Sequence, residues 1–219
     1  NTLFPYTTLF RSTRASRAMY ALDRALIRTL LRLSVEGAGH VPVREQCVVV
    51  CNHLSYLDPF VLAAALPAGF LQRSYWGGWT GAVFNRRWKY PVARLARAVP
   101  IDPLTGAHRN LAYPAAILRR GHNLIWFAEG GRSRTGHLQP FREGIGQVLQ
   151  GAPVPVLPVA IQGTHEAMPI GQALPRPGPV RVRFGEPVDV AGLVDRGDES
   201  EMPRRITKAL HDRVEAMLG

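Results

Sequence analysis

The chain has few cysteines and no long apolar stretch, and both shortages limit what it can be. Its 219 residues include two cysteines, Cys47 and Cys51. Four residues apart in an extended apolar run, their Cα atoms would be about 13 Å apart, too far for a disulfide. We expect both to be reduced core residues. No run reaches the roughly 18 to 20 apolar residues that a bilayer-spanning helix needs, so the sequence predicts no such helix.

Lysine is also scarce, because all but two of the 27 basic residues are arginine. Against 16 acidic residues they give a formal net charge of +11. This excess favours an acidic partner, which can be nucleic acid, anionic lipid or an acidic carrier protein. GC-rich coding would enrich arginine without any such partner. No RNA- or DNA-binding motif with interleaved aromatic residues is found, so we expect no nucleic-acid partner.

The length and composition indicate one folded domain. With 46% hydrophobic and 20% charged residues, the chain is neither a disordered segment nor a disulfide-rich miniprotein. Residues 1–12 are set apart, since Thr2 to Ser12 (TLFPYTTLFRS) resembles the translation of a sequencing adapter. We expect an amphipathic helix over residues 13–34 and the main domain over residues 35–219. No internal repeat or low-complexity linker divides them.

The residues from Arg17 to Ser34 predict a basic amphipathic helix. Apolar side chains recur there at helical spacing, while four arginines fall on another side. The apolar set is Met19, Leu22, Leu26, Leu30 and Leu33. Such a helix can lie in a bilayer interface, with leucines among acyl chains and arginines among anionic headgroups. It can equally pack on the core of its own domain.

The rest of the chain alternates between short apolar runs and helical patterns. We predict strands at 48–51, 70–75, 98–101, 123–127, 154–161 and 180–184. We predict helices at 60–66, 109–120, 145–150 and 201–218. This alternation is typical of an α/β domain with a mixed, largely buried central sheet flanked by helices.

A histidine and an aspartate lie five residues apart at the end of the first predicted strand. His53 and Asp58 form a His-x4-Asp pattern, and a loop can fold the pair together. A carboxylate bonded to one ring nitrogen would leave the other nitrogen to take a proton from an alcohol. Two simpler roles stay open: Asp58 can be the N-cap of a helix beginning at Pro59, and His53 an ordinary loop histidine.

A glycine-rich basic segment follows the predicted strand at 123–127. It reads Phe127-Ala128-Glu129-Gly130-Gly131-Arg132-Ser133. Glycines allow close approach of the backbone to a ligand, Arg132 offers two parallel N–H groups to a phosphate, and Ser133 adds a donor. The alternative is a solvated turn with charges. The segment is not a Walker loop, because no Gly-Lys-Ser/Thr follows at the required spacing.

Four blocks in this order resemble the 1-acylglycerol-3-phosphate acyltransferase family. They are Asn52 to Pro59 (NHLSYLDP), Phe127 to Ser133 (FAEGGRS), Phe141 to Gly144 (FREG) and Val156 to Val159 (VLPV), within a resemblance spanning about Val35 to Val190. The resemblance implies that residues 35–219 form an acyltransferase domain of phospholipid biosynthesis. It implies His53 as general base and Asp58 as its orienting carboxylate.

The same resemblance implies the remaining parts of the site. Glu129, Gly130, Arg132 and Ser133 would bind the glycerophosphate, and Pro158 would shape an acyl-side wall. The acyl donor would be acyl-CoA or acyl carrier protein, with no cofactor or metal. The acceptor would be a lysophospholipid, most simply 1-acylglycerol-3-phosphate. The enzyme would act peripherally on the cytoplasmic face of a membrane.

One block departs from the family pattern. A basic residue usually follows a strand such as Val99 to Asp102, and Pro103 stands in that place. Arg109, Arg86 or Arg87 are possible substitutes. The departure leaves open another acceptor, such as lysophosphatidylethanolamine or a lyso-ornithine lipid. A non-catalytic module that binds anionic lipid is the alternative of another class.

Overall fold

The computed structural model describes residues 13–101, 111–190 and 198–219. The strands of this part, β1 to β7, are Arg32–Glu36, Val48–Cys51, Ser74–Trp79, Ala98–Ile101, Asn123–Phe127, Val156–Gln162 and Pro179–Phe184. The α-helices, α1 to α9, are Arg14–Leu30, Asp58–Ala65, Ala68–Leu71, Thr80–Val83, Tyr90–Leu95, Ala112–Arg119, Gly144–Gly151, Thr164–Ala167 and Met202–Leu218. Short 3-10 turns lie at Ala38–His40 and Arg87–Lys89.

The strands form a single mixed sheet in the order β1-β7-β6-β2-β5-β3-β4. Strands β6, β2, β5, β3 and β4 are parallel, whereas β7 is antiparallel to β6 and β1 is parallel to β7. Central strand β2 pairs on its two sides so that Cys51 faces Phe127 of β5 and Val159 of β6. The loops that follow these parallel strands therefore meet at one edge of the sheet.

Helices cover both faces of the sheet, which explains why the central strands are apolar throughout. On one face Val49 and Cys51 of β2 join a core with α1, α2, α3, α5 and α8. On the other face Val48 and Val50 join a core with α6, α7 and α9. The predicted α/β architecture with a mixed, largely buried sheet and a preceding amphipathic helix is confirmed.

The first helix ends earlier than the sequence pattern predicts. Helix α1 stops at Leu30, and Leu31 is already extended (φ −116°, ψ 142°). The Arg32 N–H then donates to the Gly178 carbonyl at 2.9 Å, and the chain continues as strand β1 beside β7. The prediction of helix through Ser34 was wrong because Leu33 fits helical spacing, while pairing with a distant strand decides the conformation.

The leucine side of α1 is not the side that packs on the domain. Ile27 is buried in the core, and Ser16 Oγ donates to the Leu95 carbonyl at 2.8 Å. By contrast, 61% of Leu22 and 58% of Leu26 is exposed. The helix is therefore docked through one face and presents leucines on another. Within the described ranges, no helix is both long and apolar enough to cross a bilayer.

The predicted strand at 70–75 was wrong in its position. Residues Ala68–Leu71 form α3, and the strand β3 runs over Ser74–Trp79. The strand contains two glycines, Gly77 and Gly78. A Cβ at Gly77 would lie 2.7 Å from Cδ1 of Ile101 on the neighbouring strand. A larger side chain at this position would therefore have to displace the end of the Ile101 side chain.

Candidate active site

His53 and Asp58 form a hydrogen-bonded pair at the carboxyl end of β2. His53 Nδ1–H donates to Asp58 Oδ2 at 2.8 Å. The aspartate side chain is fully buried, whereas 16% of the histidine side chain is exposed. The His53 ring stacks on Phe127 at the end of β5, with centroids 4.3 Å apart. Because the carboxylate accepts this bond, the proton of the neutral ring lies on Nδ1, and Nε2 is the basic nitrogen.

The loop between β2 and α2 is folded around the Asp58 carboxylate. Oδ2 also accepts the backbone N–H groups of Leu54 at 2.6 Å and Ser55 at 2.8 Å. Helix α2 begins at Asp58, with Leu57 as its N-cap residue. The possible N-cap role of Asp58 is therefore corrected: the carboxylate turns back to the preceding loop and the histidine. Burial of the charge is compensated by these donors.

Thr164 is a further partner of Asp58 that the sequence did not reveal. Its hydroxyl donates to Asp58 Oδ1. Thr164 begins α8, directly after β6, the parallel neighbour of β2. Asn52 ties the same two strands together, since its side chain bonds both the N–H and the carbonyl of Ile161. The sequence signal that could have predicted this contact is the Gly-Thr pair directly after an apolar strand. The carboxyl ends of parallel strands converge at one edge of the sheet, so a polar residue there can reach the site.

Glu129 accepts a hydrogen bond from the backbone of His53. It follows β5, only 6% of it is exposed, and its Oε1 accepts the His53 N–H at 2.8 Å. Burial raises the pKa of Glu129 to about 8, and the nearby Asp58 charge adds to the rise, whereas hydrogen bonds from the His53 and Gln139 N–H groups oppose it. Burial thus favours the uncharged form of Glu129.

The glycine-rich loop bonds directly to the histidine loop. The Ser133 N–H donates to the His53 carbonyl at 2.8 Å, and Ser133 is buried. Gly130 has φ +71°, and a Cβ there would collide with Cδ of Arg142. Both conditions favour glycine at this turn. Arg142 Nε in turn donates to the Glu129 carbonyl at 3.2 Å.

Arg132 lies at the same place, held by an aromatic ring. Its guanidinium carbon is 3.4 Å from the ring centre of Tyr56, which belongs to the His53–Asp58 loop. The structure thus brings His53, Asp58, Glu129 and Ser133 together through direct bonds, and Arg132 through Tyr56.

The structure does not bring Pro158 to this cluster. Pro158 lies within β6 opposite Val50, and strand alternation turns it toward the face covered by α9. Its ring borders Gly185, where a Cβ would lie 2.9 Å from Pro158 Cγ and equally close to Met217 Sδ.

The departure at Pro103 and the possible substitute Arg109 lie outside the described residues. The other candidates, Arg86 and Arg87, are exposed at the 3-10 turn before α5.

The two cysteines are free and buried. Burial raises the pKa of Cys47 to about 12 and that of Cys51 well above its ordinary value. Neither has the character of a reactive thiolate.

Comparison with known proteins identifies the family of this chain. The family model described as Acyltransferase matches residues 32–162. The chain is 26% identical over 185 residues to a 1-acyl-sn-glycerol-3-phosphate acyltransferase of Limnanthes douglasii, covering 82% of this chain and 61% of that protein. It is 27% identical over 168 residues to the human 1-acyl-sn-glycerol-3-phosphate acyltransferase alpha, covering 74% and 57%.

A solved structure shares the fold. The 1-acyl-sn-glycerophosphate (LPA) acyltransferase PlsC from Thermotoga maritima superposes with a TM-score of 0.73 at 23% identity, covering 93% of this chain and 80% of that chain. The chain spans between 49% and 64% of the first three curated relatives it matches. The chain belongs to the acyltransferase family, and the resemblance noted in the sequence is confirmed.

Proposed function

We propose that this protein transfers a fatty acyl group from a thioester donor to the free hydroxyl of a lysophospholipid. The proposed acceptor is 1-acylglycerol-3-phosphate, and the product is phosphatidate. The family assignment and the names of the relatives support this choice. The observation that carries it is the bond between His53 Nδ1 and buried Asp58. This bond fixes the ring so that Nε2, with no hydrogen bond to the described residues, can receive a proton.

The proposed reaction is a direct acyl transfer. His53 Nε2 takes the proton of the acceptor hydroxyl. At the same time the hydroxyl oxygen forms a bond to the carbonyl carbon of the thioester. The tetrahedral intermediate then expels the sulfur, and the imidazolium returns its proton to the departing thiolate. Asp58 stabilises the transient imidazolium. This sequence balances with the two substrates alone, so we propose that no cofactor or metal takes part. The buried cysteines are not needed as nucleophiles.

Arg132 is the proposed contact for the acceptor phosphate. A guanidinium can bind two phosphate oxygens at once. The neighbouring Ser133 N–H is bonded to the His53 carbonyl, so Arg132 is one residue from a direct contact with the base. In this arrangement Gly130 and Ser133 shape the loop, while Glu129 acts on the His53 backbone rather than on the ligand. We do not place Pro158 against a substrate.

We propose that the protein binds the surface of the membrane that holds its acceptor. The exposed leucines of α1 and the net charge of +11 support this. An amphipathic helix can bury leucines below the headgroups while arginines bind anionic lipid. The same positive charge suits acyl-CoA or acyl carrier protein, both acidic donors.

Purified protein assayed with a panel of acceptors and both donors tests the proposal. We expect acyl transfer to 1-acylglycerol-3-phosphate to exceed that to lysophosphatidylethanolamine or a lyso-ornithine lipid. A preference for either of those lipids would keep the reaction and replace the acceptor. Absence of transfer to all three, with retained binding to anionic vesicles, would support a lipid-binding module instead.

A further inference from the structure

The contact between Arg132 and Tyr56 joins the two loops that form the candidate site. The guanidinium carbon lies 3.4 Å from the centre of the tyrosine ring, which is the distance of direct stacking. Tyr56 is 48% exposed, and its hydroxyl makes no hydrogen bond to the described residues. Toward the described residues, the tyrosine hydroxyl therefore adds no hydrogen bond that stabilises the fold. Its ring face is the part that makes a specific contact.

The stack holds the arginine without occupying its hydrogen-bond donors. A guanidinium is planar, with its five N–H groups at the edge and a delocalised cation across the face. The Tyr56 ring takes the face. Toward the residues that the structure describes, the edge of Arg132 makes no hydrogen bond or ion pair. The side chain is thus ordered while its N–H groups stay available to an anion.

We propose that Tyr56 is a positioning residue that aims the N–H edge of Arg132 at the phosphate of the acceptor. This inference rests on the proposed function, because it takes the phosphate of a lysophospholipid as the ligand. A long arginine side chain has many rotamers, and a ring that restricts them lowers the entropy lost on binding. The aromatic face adds electrostatic attraction for the cation.

The inference predicts a loss that depends on the phosphate of the ligand. The test measures equilibrium binding of 1-acylglycerol-3-phosphate and of 1-acylglycerol, which lacks the phosphate, in the same detergent. Tyr56→Leu should weaken binding of the phosphate-bearing ligand by about 2- to 30-fold, the range expected of a cation–π contact. It should leave 1-acylglycerol binding unchanged. Tyr56→Phe keeps the ring face and should behave as wild type. Phe60→Leu, at a similarly exposed aromatic residue, is the matched control.

A double-mutant cycle separates positioning of Arg132 from a direct role of the tyrosine. In the Arg132→Ala background, Tyr56→Leu should have no further effect, because the side chain that it orders is gone. Additive losses would overturn the inference, as would an equal loss for the two ligands. Binding is read without turnover, so the result is independent of the proposed reaction. If acyl transfer is absent but the phosphate-specific loss appears, the reaction fails and the role of Tyr56 stands.

Discussion

The carboxylate of Asp58 lies 2.8 Å from Nδ1 of His53 and is held there by the loop that separates the two residues. The N–H groups of Leu54 and Ser55 donate to the same oxygen that binds the histidine. The spacing of five residues therefore suits this geometry, because the intervening loop surrounds the carboxylate and places the histidine ring beside it. A pair built in this way is oriented before any substrate arrives.

Replacement of His53 by alanine should abolish most activity and leave the fold intact. The imidazole is partly exposed and its backbone bonds to Glu129 and Ser133 do not need the ring. A general base contributes about 10²–10⁴-fold to rate, so we expect a loss of that size in kcat. Thermal melting checks the fold, and His211→Ala on the opposite sheet face is the control. Near-normal turnover by a folded His53→Ala protein would remove His53 from the mechanism.

Asp58→Asn should lower both activity and stability, and Thr164→Val should do so less. Asparagine replaces one carboxylate oxygen by an NH2 group, so the Thr164 hydroxyl must turn to accept a hydrogen bond or a buried N–H group loses its acceptor, at about 1–3 kcal/mol for each unpaired group. The neutral amide also no longer stabilises a protonated His53. Thr164→Val removes one donor and keeps the carboxylate paired with His53. Chemical denaturation measures the stabilities and initial rates measure the activities. A Thr164→Val loss equal to that of Asp58→Asn would contradict this ranking.

Several strands and the His53–Asp58 pair were predictable because they depend on local pattern. Strands 98–101 and 123–127 were placed correctly, since apolar, β-branched runs between turns require burial on both faces. Strand β1 and the Thr164 bond were not predictable, because each depends on a contact more than 100 residues away. The pattern of α1 likewise could not tell which of its faces would dock.

Glu129→Gln should change how stability depends on pH. The pKa of Glu129 is about 8 in the folded protein and roughly 4.3 in an unfolded chain. Between these values the unfolded chain loses the proton that the folded protein keeps, so this group lowers stability as pH rises through the window and then levels off. Glutamine does not titrate, and its amide oxygen can accept the His53 N–H.

The measurement for Glu129 is the melting temperature of wild type and variant from about pH 4 to about pH 9, which brackets the window. The melting temperature of the variant should rise relative to that of wild type between roughly pH 4.3 and about pH 8. Above that window the difference should stay constant. Glu143→Gln, at an exposed position nearby, should give curves parallel to wild type. Parallel curves for Glu129→Gln as well would show that Glu129 is ionised in the folded protein and that burial does not raise its pKa.

Replacing Leu22 and Leu26 by serine should release the protein from vesicles without unfolding it. Both side chains are exposed on α1, whereas Ile27 makes the core contact. Loss of two leucines from an interface should weaken binding at least about tenfold. Sedimentation with phosphatidylcholine/phosphatidylglycerol vesicles measures it, and added salt should weaken wild-type binding because the arginines act through screened charge. Leu174→Ser, at another exposed leucine, is the control. Unchanged binding of the double variant would place the membrane contact elsewhere.

Arg132→Lys should raise the KM for the phosphate-bearing acceptor more than the KM for the thioester donor. Lysine keeps the charge and can still lie near the Tyr56 ring, but it loses the planar pair of N–H groups that binds two phosphate oxygens. Steady-state kinetics with each substrate varied in turn separates the two effects. Arg134→Lys, at an exposed arginine in the same loop, controls for a general change of charge geometry.

A rise in the donor KM alone would mean that the loop from Glu129 to Ser133 binds the CoA or the carrier protein of the donor. The acceptor phosphate would then have to be bound by other basic residues, and Arg86 and Arg87 would be the next to replace.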